Sequence, residues 1–475
     1  MYLDELFPGA PAVDIAGLAY DNRKVGPRDL FFCVRGFTTD GHQFAADAVS
    51  RGAAALVVDH LLDVDIPQVQ VDNVRRAMSR AAAKFYGDPT KRLAVVGVTG
   101  TNGKTTTAYL VRALLEAGGR QSGLLGTVKS IVGGVEREAG RTTPEAIDLQ
   151  RSFREMLDGG DSACVMEVSS HALELARVDA VNFAVGIFTN LTQDHLDFHP
   201  TMEQYFLAKR KLFTERRAQT AVINLDDPYG QRLAADPEIS TPFTFALEDP
   251  AATYRATEVR TGLGGSTFIL RSPDGVRELR SPLSGRFNVY NVLAALAAAR
   301  ALGVAFDPAI KAIEHAGQVP GRFEAVDEGQ PFAVLVDYAH TPDSLENVLV
   351  AARLLTESRL HVVFGCGGDR DRGKRPLMGA IAARLADHVI VTSDNPRSED
   401  PEVIIDEILT GIDRPVEHEV DRRTAIHSAI SAASAGDVVV IAGKGHELGQ
   451  EFTNGEKLPF DDVTVAREAL RSNGS

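Results

Sequence analysis

The stretch VVGVTGTNGKTTT, residues 95–107, sets two glycines, a lysine and a run of hydroxyls between an apolar strand and an amphipathic helix. Gly100 and Gly103 allow close backbone approach to an anion, and the N–H groups there and at the helix start form a cradle for phosphate. Lys104 is placed to reach the β- and γ-phosphates, and the Thr105 hydroxyl to ligate Mg²⁺. The strict form of such a loop has a glycine five residues before Gly103, where this chain has Val98. A glycine-rich turn with an incidental lysine is the plain alternative. The strand–loop–helix context favours a nucleotide, ATP or GTP.

Two further strand ends carry acids, hydroxyls and imidazoles. ACVMEVSSHALELARV (163–178) leads to Glu167, Ser169 and Ser170, and GIFTNLTQDHLDFH (186–199) to Asn190, Asp194 and His195. Carboxylate and imidazole at neighbouring strand ends can hold a divalent cation beside a nucleotide, with His171 and His199 as weaker candidates. In EQYFLAKRKLFTE (203–215), helical by pattern, Tyr205, Lys209 and Phe213 fall on one apolar stripe. A lysine held there is desolvated, and its pKa falls from the usual value of about 10.4. A neutral amine can be a base, a nucleophile or a target for carbon dioxide. The residues alone favour the plainer reading, a lysine that packs its stem on aromatics.

VTSDNPRSEDP (391–401) poses a different problem, because it groups Asp394, Asn395 and Arg397 around Pro396. A turn accounts for Asp, Asn and Pro. It does not need the arginine, whose planar fork suits a carboxylate. A structural pair with Asp400 is the alternative.

These clusters need rigid carriers, and the chain supplies them. Strand and helix signals alternate in residues 1–90, in a second block, 91–317, that opens with LAVVGV and closes with FNVYNVLAALAAARALG, and in a third, 318–475. GDPTKR (87–92) reads as a linker, and QVPGRFE (318–324) as a Pro/Gly boundary. Strands of Val, Ile and Phe between helices predict an α/β protein with parallel sheets in the second and third blocks. In the third block the clusters Asp337–His340, Gly367–Arg372, Asp394–Arg397 and Gly443–Glu447 each follow an apolar run. That places them at the carboxyl edge of a parallel sheet, where ligands collect.

Composition narrows the partners. The chain is 44% apolar and 24% charged, with a net charge of −15. Its acidity disfavours nucleic acid, which requires phosphate neutralisation by Lys and Arg. No apolar run approaches the roughly 20 residues of a membrane span, and the acidic N-terminus lacks signal-peptide character. Cys33, Cys164 and Cys366 have neither disulfide nor zinc spacing. A cytoplasmic protein acting on small molecules is expected.

Taken in order, TGTNGKTTT, RTTPE, EVSSHAL, TNLTQDHLDFH, AKRKLF, FNVYN, VDYAHTPD, GCGGDRDRGKRPLMG, DNPR and AGKGHE resemble the Mur ligase family. These are the ATP-dependent amino-acid-adding enzymes of peptidoglycan synthesis, in cell-wall biogenesis, and the resemblance spans the whole chain. It implies three domains: 1–90 binding the UDP-sugar, a central P-loop ATPase-like domain at 91–317, and a Rossmann-like amino-acid domain at 318–475. The implied substrates are UDP-N-acetylmuramoyl-L-alanyl-D-glutamate, meso-diaminopimelate and ATP, used by a monomer through an acyl phosphate.

By the same carry-over, Gly100, Thr101, Asn102, Gly103, Lys104, Thr105, Thr106, Asn291, Arg322, Asp337 and His340 would bind ATP. For Asp337 a structural cap role is nearly as well supported. Thr142, Thr143, Ser169 and Arg177 would contact the nucleotide-sugar peptide, as would Asn22, where relatives commonly carry Ser. Leu175 stands where some relatives have Gln. Lys209 would be carbamylated to N6-carboxylysine and hold Mg²⁺ with Glu167 and His195, which reverses the plain reading of that lysine. Arg370, Asp394, Asn395, Pro396, Arg397, Gly443 and Glu447 would form the diaminopimelate pocket, Arg397 reading the far carboxylate and Glu447 the far ammonium. Two alternatives stay open: the same reaction with L-lysine, and a folylpolyglutamate synthase, which shares the GTNGK loop.

Overall fold

The computed structural model describes residues 1–36, 39–214, 217–239 and 242–473; Glu215, in the stretch 203–215, lies outside them. The chain divides into two compact units. One comprises Met1–Thr99, Gly119–Gly186 and Ala208–Gln219, the other Gly100–Gly118, Ile187–Leu207 and Thr220–Ser475.

In the first unit, four parallel strands, Gly17–Ala19, Asp29–Phe32, Ala55–Val58 and Gln68–Gln70, pair in sequence order. Leu30, Phe32, Ala55 and Val57 pack on one face against Leu3, Val74, Met78 and Ala82. Phe31, Leu56 and Val58 pack on the other against Ala45 and Ala48. That alternation is the period of two expected of a strand covered on both faces. The helix Val74–Phe85 begins where the Asn73 side chain accepts a hydrogen bond from the Arg76 N–H. A second group of parallel strands, Ala94–Thr99, Ala163–Glu167 and Ser122–Leu125, extends into the antiparallel strands Lys129–Val132 and Val135–Glu138. The segment 87–92, expected as a linker, is folded into this unit. Pro89 and Thr90 are buried in a 3-10 turn, and the Thr90 hydroxyl accepts from the Asn182 backbone at 3.2 Å.

In the second unit, helix Lys104–Ala117 packs along Arg286–Ala301. The alanines of ALAAARA let the latter lie buried over most of its length, from Asn288 to Ala299. Beside them, parallel pairing of Ala218–Asn224, Phe243–Ala246 and Tyr254–Gly262 gives way to an antiparallel meander through Gly265–Ser272 and Gly275–Ser281. The helix in 203–215 runs from Met202 to Arg210, and Leu212 and Phe213 are buried by the turn after it.

The last sheet has the order Glu324–Ala325, Ala333–Asp337, Val438–Ala442, Leu360–Phe364, His388–Thr392, Glu417–Glu419, parallel except at its first pair. Leu335, Val362, Phe364, Val391 and Val440 face helices Pro342–Arg353, Lys374–Leu385 and Pro401–Leu409. Val334, Val336, Val363, Ile390 and Ile441 face Arg422–Ala432 and Asp462–Asn473. The expected α/β architecture is therefore present, wound on both faces, and the four polar clusters do follow the carboxyl ends of these strands. No described helix is long and apolar enough to cross a membrane.

One ion pair ties this sheet to its last helix. Arg422 and Asp462 have no exposed side-chain surface, and Nε and Nη2 of Arg422 donate to the two carboxylate oxygens at 2.8 and 2.7 Å. Removing one member strands a buried charge. Asp462→Ala is therefore expected to destabilise the fold by about 3–5 kcal/mol, measurable as a lowered calorimetric melting temperature.

Candidate active site

The phosphate loop is shaped by contacts no side chain would permit at its glycines. Gly100 (φ +149°) and Gly103 (φ +82°) adopt backbone conformations that disfavour L side chains. A Cβ at Gly100 would lie 1.8 Å from the Thr189 hydroxyl, and one at Gly103 would lie 2.5 Å from Asn291 Oδ1. The loop is bonded to the strand end after Phe188. The backbone N–H groups of Thr101 and Asn102 donate to Asn190 O and Oδ1, each at 2.9 Å, and the Thr189 hydroxyl donates to Asn102 O at 2.6 Å. Lys104 Nζ donates to the carbonyls of Gly100 at 3.1 Å and Thr101 at 2.7 Å. Asn291 supports the loop from its helix by accepting from the Thr107 hydroxyl at 3.2 Å.

Arg322 joins this loop to the last sheet. Its Nη2 donates to the Thr105 hydroxyl at 3.0 Å, and its guanidinium lies 4.5 Å over the Tyr338 ring. Asp343 accepts from Asn102 Nδ2 at 2.6 Å. Asp337 makes a structural contact. Its Oδ2 accepts from the backbone of Phe323 at 2.6 Å, pinning a residue with φ +49°. Burial raises its carboxyl pKa to about 6, against the opposing charge of Arg322 and N–H groups of Phe323 and Ala339. His340 is pushed toward its neutral form by burial and by the Lys374 charge; Lys374 Nζ donates to the His340 carbonyl at 2.8 Å. Asp194 is held ionised: the charges of His195 and Lys374 outweigh a burial cost that alone would raise its pKa. His195 sits at φ +55°, with its ring Nε2 3.4 Å from Asp194 Oδ2.

In the first unit, Glu167 is buried at the end of its strand. Its Oε1 accepts from the Thr127 N–H at 2.8 Å and its Oε2 from the Thr127 hydroxyl at 3.1 Å. Thr142 bonds the same hydroxyl at 3.1 Å, and the Thr143 hydroxyl donates to Glu167 O at 2.8 Å. Ser169 caps the short helix that follows. Arg177 donates to Thr143 O and pairs at 2.8 Å with Glu145, which also lies near Arg75 and Arg141. Three guanidiniums around one carboxylate leave net positive charge here. Lys209 is only 1% exposed, as is Tyr205. Asn22 donates to Asp47 at 2.8 Å.

At the carboxyl edge of the last sheet, Asp394, Asn395 and Pro396 are buried. Asn395 Nδ2 donates to Glu447 Oε2 at 2.7 Å, and its Oδ1 accepts from Lys444 Nζ at 2.8 Å. Lys444, fully buried, also bonds Glu447 at 3.0 Å. A Cβ at Gly443 would lie 2.4 Å from Asp394 Oδ2, so the strand end and the loop touch backbone to side chain. Arg397, at φ +53°, donates from Nε to Glu451 at 3.0 Å and from Nη1 to the Gly368 carbonyl at 2.7 Å. Asp400, the expected alternative partner, instead caps the helix Pro401–Leu409. Arg370 is exposed and bonds the Asp369 carbonyl. Lys374, Lys444 and Glu451 escaped the sequence reading. The first two lie inside motifs quoted above, whereas Glu451 carries no local signal.

Family matches follow the chain in order: Mur ligase family, catalytic domain, at residues 14–86; Mur ligase middle domain at 98–299; and Mur ligase, glutamate ligase domain, at 321–445. A UDP-N-acetylmuramoyl-L-alanyl-D-glutamate–2,6-diaminopimelate ligase of Geobacillus kaustophilus is 48% identical, over 97% of this chain and 96% of its own. This chain belongs to the Mur ligase family. A Mur ligase of the same name from Bacillus cereus is 45% identical over 98% of this chain and 96% of its own. A solved structure of that name matches with TM-score 0.72 and 34% identity, covering 100% of this chain and 99% of that one. MurF from Acinetobacter baumannii, at 20% identity, TM-score 0.69 and coverage of 99% and 97%, shares the Mur ligase fold.

The position of Asp337 has a pH signature. Its folded pKa is raised from 3.8 to about 6, so its contribution to stability is present at acid pH and is lost as pH rises through 6. Two units correspond to about 3 kcal/mol. Between pH 4 and 7 the wild type is expected to lose up to about 3 kcal/mol relative to Asp337→Asn, read from paired denaturation curves.

Proposed function

We propose that this protein is an ATP-dependent ligase that joins meso-diaminopimelate to UDP-N-acetylmuramoyl-L-alanyl-D-glutamate in peptidoglycan synthesis. The observation that carries the choice of amino acid is Arg397, a partly buried guanidinium at a sheet edge, on the loop whose Asn395 bonds Glu447. An amino acid whose far end bears both a carboxylate and an ammonium matches that pair; lysine offers the ammonium alone. The relatives named as diaminopimelate ligases support the same assignment.

The reaction has two steps. The side-chain carboxylate of the D-glutamate attacks the γ-phosphorus of ATP and ADP leaves, giving an acyl phosphate. The amine of diaminopimelate then adds to the acyl carbon, and the tetrahedral adduct expels phosphate as the amine gives up its proton. Lys104 and the N–H groups of the Gly100–Gly103 loop offset the charge of two approaching anions, a task of positioning and electrostatics. Arg177, with Arg75 and Arg141, supplies positive charge for the anionic nucleotide-sugar peptide.

Converting Lys209 to a carbamate would turn it into a hard oxygen donor, and Glu167, His195 and the Thr105 hydroxyl are further donors of the kinds that hold divalent cations. The donor chemistry of these residues suits Mg²⁺. Bound there, Mg²⁺ would supply Lewis acidity and charge screening. We also assign three domains, 1–90, 91–317 and 318–475, supported by the separate family matches. The chain is read as a cytoplasmic monomer, and its three buried, unpaired cysteines suit a reducing compartment.

Oxygen-18 placed in the glutamyl carboxylate is expected to appear in the released phosphate; label retained wholly in the peptide would exclude the acyl phosphate. Arg397→Ala is expected to raise KM for diaminopimelate about 10–100-fold, the cost of a lost charge-assisted bond. KM for ATP should stay near wild type, and an equal rise for both substrates in steady-state assays would remove the loop from the amino-acid pocket.

A further inference from the structure

The loop that carries Arg397 does not hold itself. Asp394 O accepts from Gln450 Nε2 at 2.8 Å, and Asn395 Oδ1 accepts from the Glu451 N–H at 3.0 Å. The Arg397 N–H donates to Glu451 O at 3.0 Å, and the Thr453 hydroxyl donates to Arg397 O at 3.1 Å. These partners lie on or just after the strand Gly449–Glu451, which forms an antiparallel hairpin with Lys457–Pro459. The hairpin therefore grips the loop on both sides of Arg397 and sustains its left-handed backbone.

The Glu451 side chain completes the grip. A guanidinium has five N–H donors in a fixed plane. Among the described residues, Arg397 donates Nε–H to Glu451 and one Nη1–H to Gly368. One N–H on Nη1 and both on Nη2 remain, and one from each nitrogen together make the end-on fork that a carboxylate accepts in bidentate fashion. Without the Nε anchor the plane keeps only the Gly368 bond and can pivot about it. The fork would then be offered in many orientations.

We infer that Glu451 is a positioning residue for Arg397, aiming its Nη edge at the far carboxylate of the incoming amino acid. The inference rests on the amino-acid pocket proposed above. Glu451 has a second consequence for selectivity. Its carboxylate offsets the arginine charge, so the pocket is not a general anion trap, and a far end that brings an ammonium along with its carboxylate is better matched than a carboxylate alone.

The experiment compares the full-length wild type with Glu451→Ala and Glu451→Gln. The backbone bonds of the hairpin do not involve the side chain, so both variants should fold, which melting curves check. Glu451→Ala is expected to raise KM for diaminopimelate about tenfold while KM for ATP and for the nucleotide-linked dipeptide stay within about twofold. Glu451→Gln, which keeps an acceptor for Nε–H, should restore most of the loss. An unchanged KM for diaminopimelate in Glu451→Ala, or an equal rise for all three substrates, overturns the inference. A crystal structure of Glu451→Ala reads the clamp without any substrate. A reoriented Arg397 supports it and an unmoved one refutes it, whichever amino acid the wild type accepts. Failure of the wild type to use diaminopimelate would instead overturn the pocket assignment.

Discussion

Lys444 has no exposed side-chain surface, and a lysine ammonium withdrawn from water must be neutralised by its neighbours. Its neighbours are Asn395 and Glu447. The proposed amino-acid pocket is thus built outward from a buried cation. The charge of Lys444, with those of Arg422 and Arg397, keeps Asp394 ionised against its own burial. Arg422 reaches the same region from below, bonding Ala442 O while Asp462 balances it. A second buried guanidinium, Arg375, lies between Glu399 and Glu407, and the Glu399 carboxyl is held down to about 2, chiefly by that hydrogen bond. Charges that are this thoroughly compensated leave little freedom, and the rigidity of the loop follows from their pairing rather than from its turn chemistry alone.

The phosphate loop obeys a different constraint, that of space. Gly100 and Gly103 are pressed against Thr189 and Asn291, so the loop, the strand end at residues 189–192 and the helix Arg286–Ala301 form one object. Arg322 and Asp343 extend that object to the last sheet through Thr105 and Asn102. The nucleotide side of the site and the sheet bearing the amino-acid pocket are therefore mechanically connected.

Much of this was legible in the chain. Apolar runs ending in polar clusters located the sheet edges, because strands buried on both faces have few other compositions open to them. The glycine–lysine loop and the arginine of DNPR were legible for the same kind of reason, since local chemistry demanded them. What escaped is tertiary. Glu451 pairs with a residue far away in sequence, and nothing in LGQEF marks it. Asp400, the alternative partner for Arg397, caps a helix N-terminus instead. Lys209 was placed correctly on a buried stripe, yet the helix ended sooner than the stripe, because Leu212 and Phe213 are buried as well by a turn. The segment 87–92 has the composition of a linker, but Thr90 is buried and bonded to Asn182, far away in sequence, which periodicity cannot reveal.

Arg397 occupies a backbone region that L residues other than Asn and Asp seldom visit, at a cost of about 1–3 kcal/mol. Glycine would sit there at ease. A lineage under pressure for heat resistance alone, with its amino-acid preference unchecked, would be drawn toward losing this arginine. An arginine held in that strained backbone is what a carboxylate-reading pocket would need there.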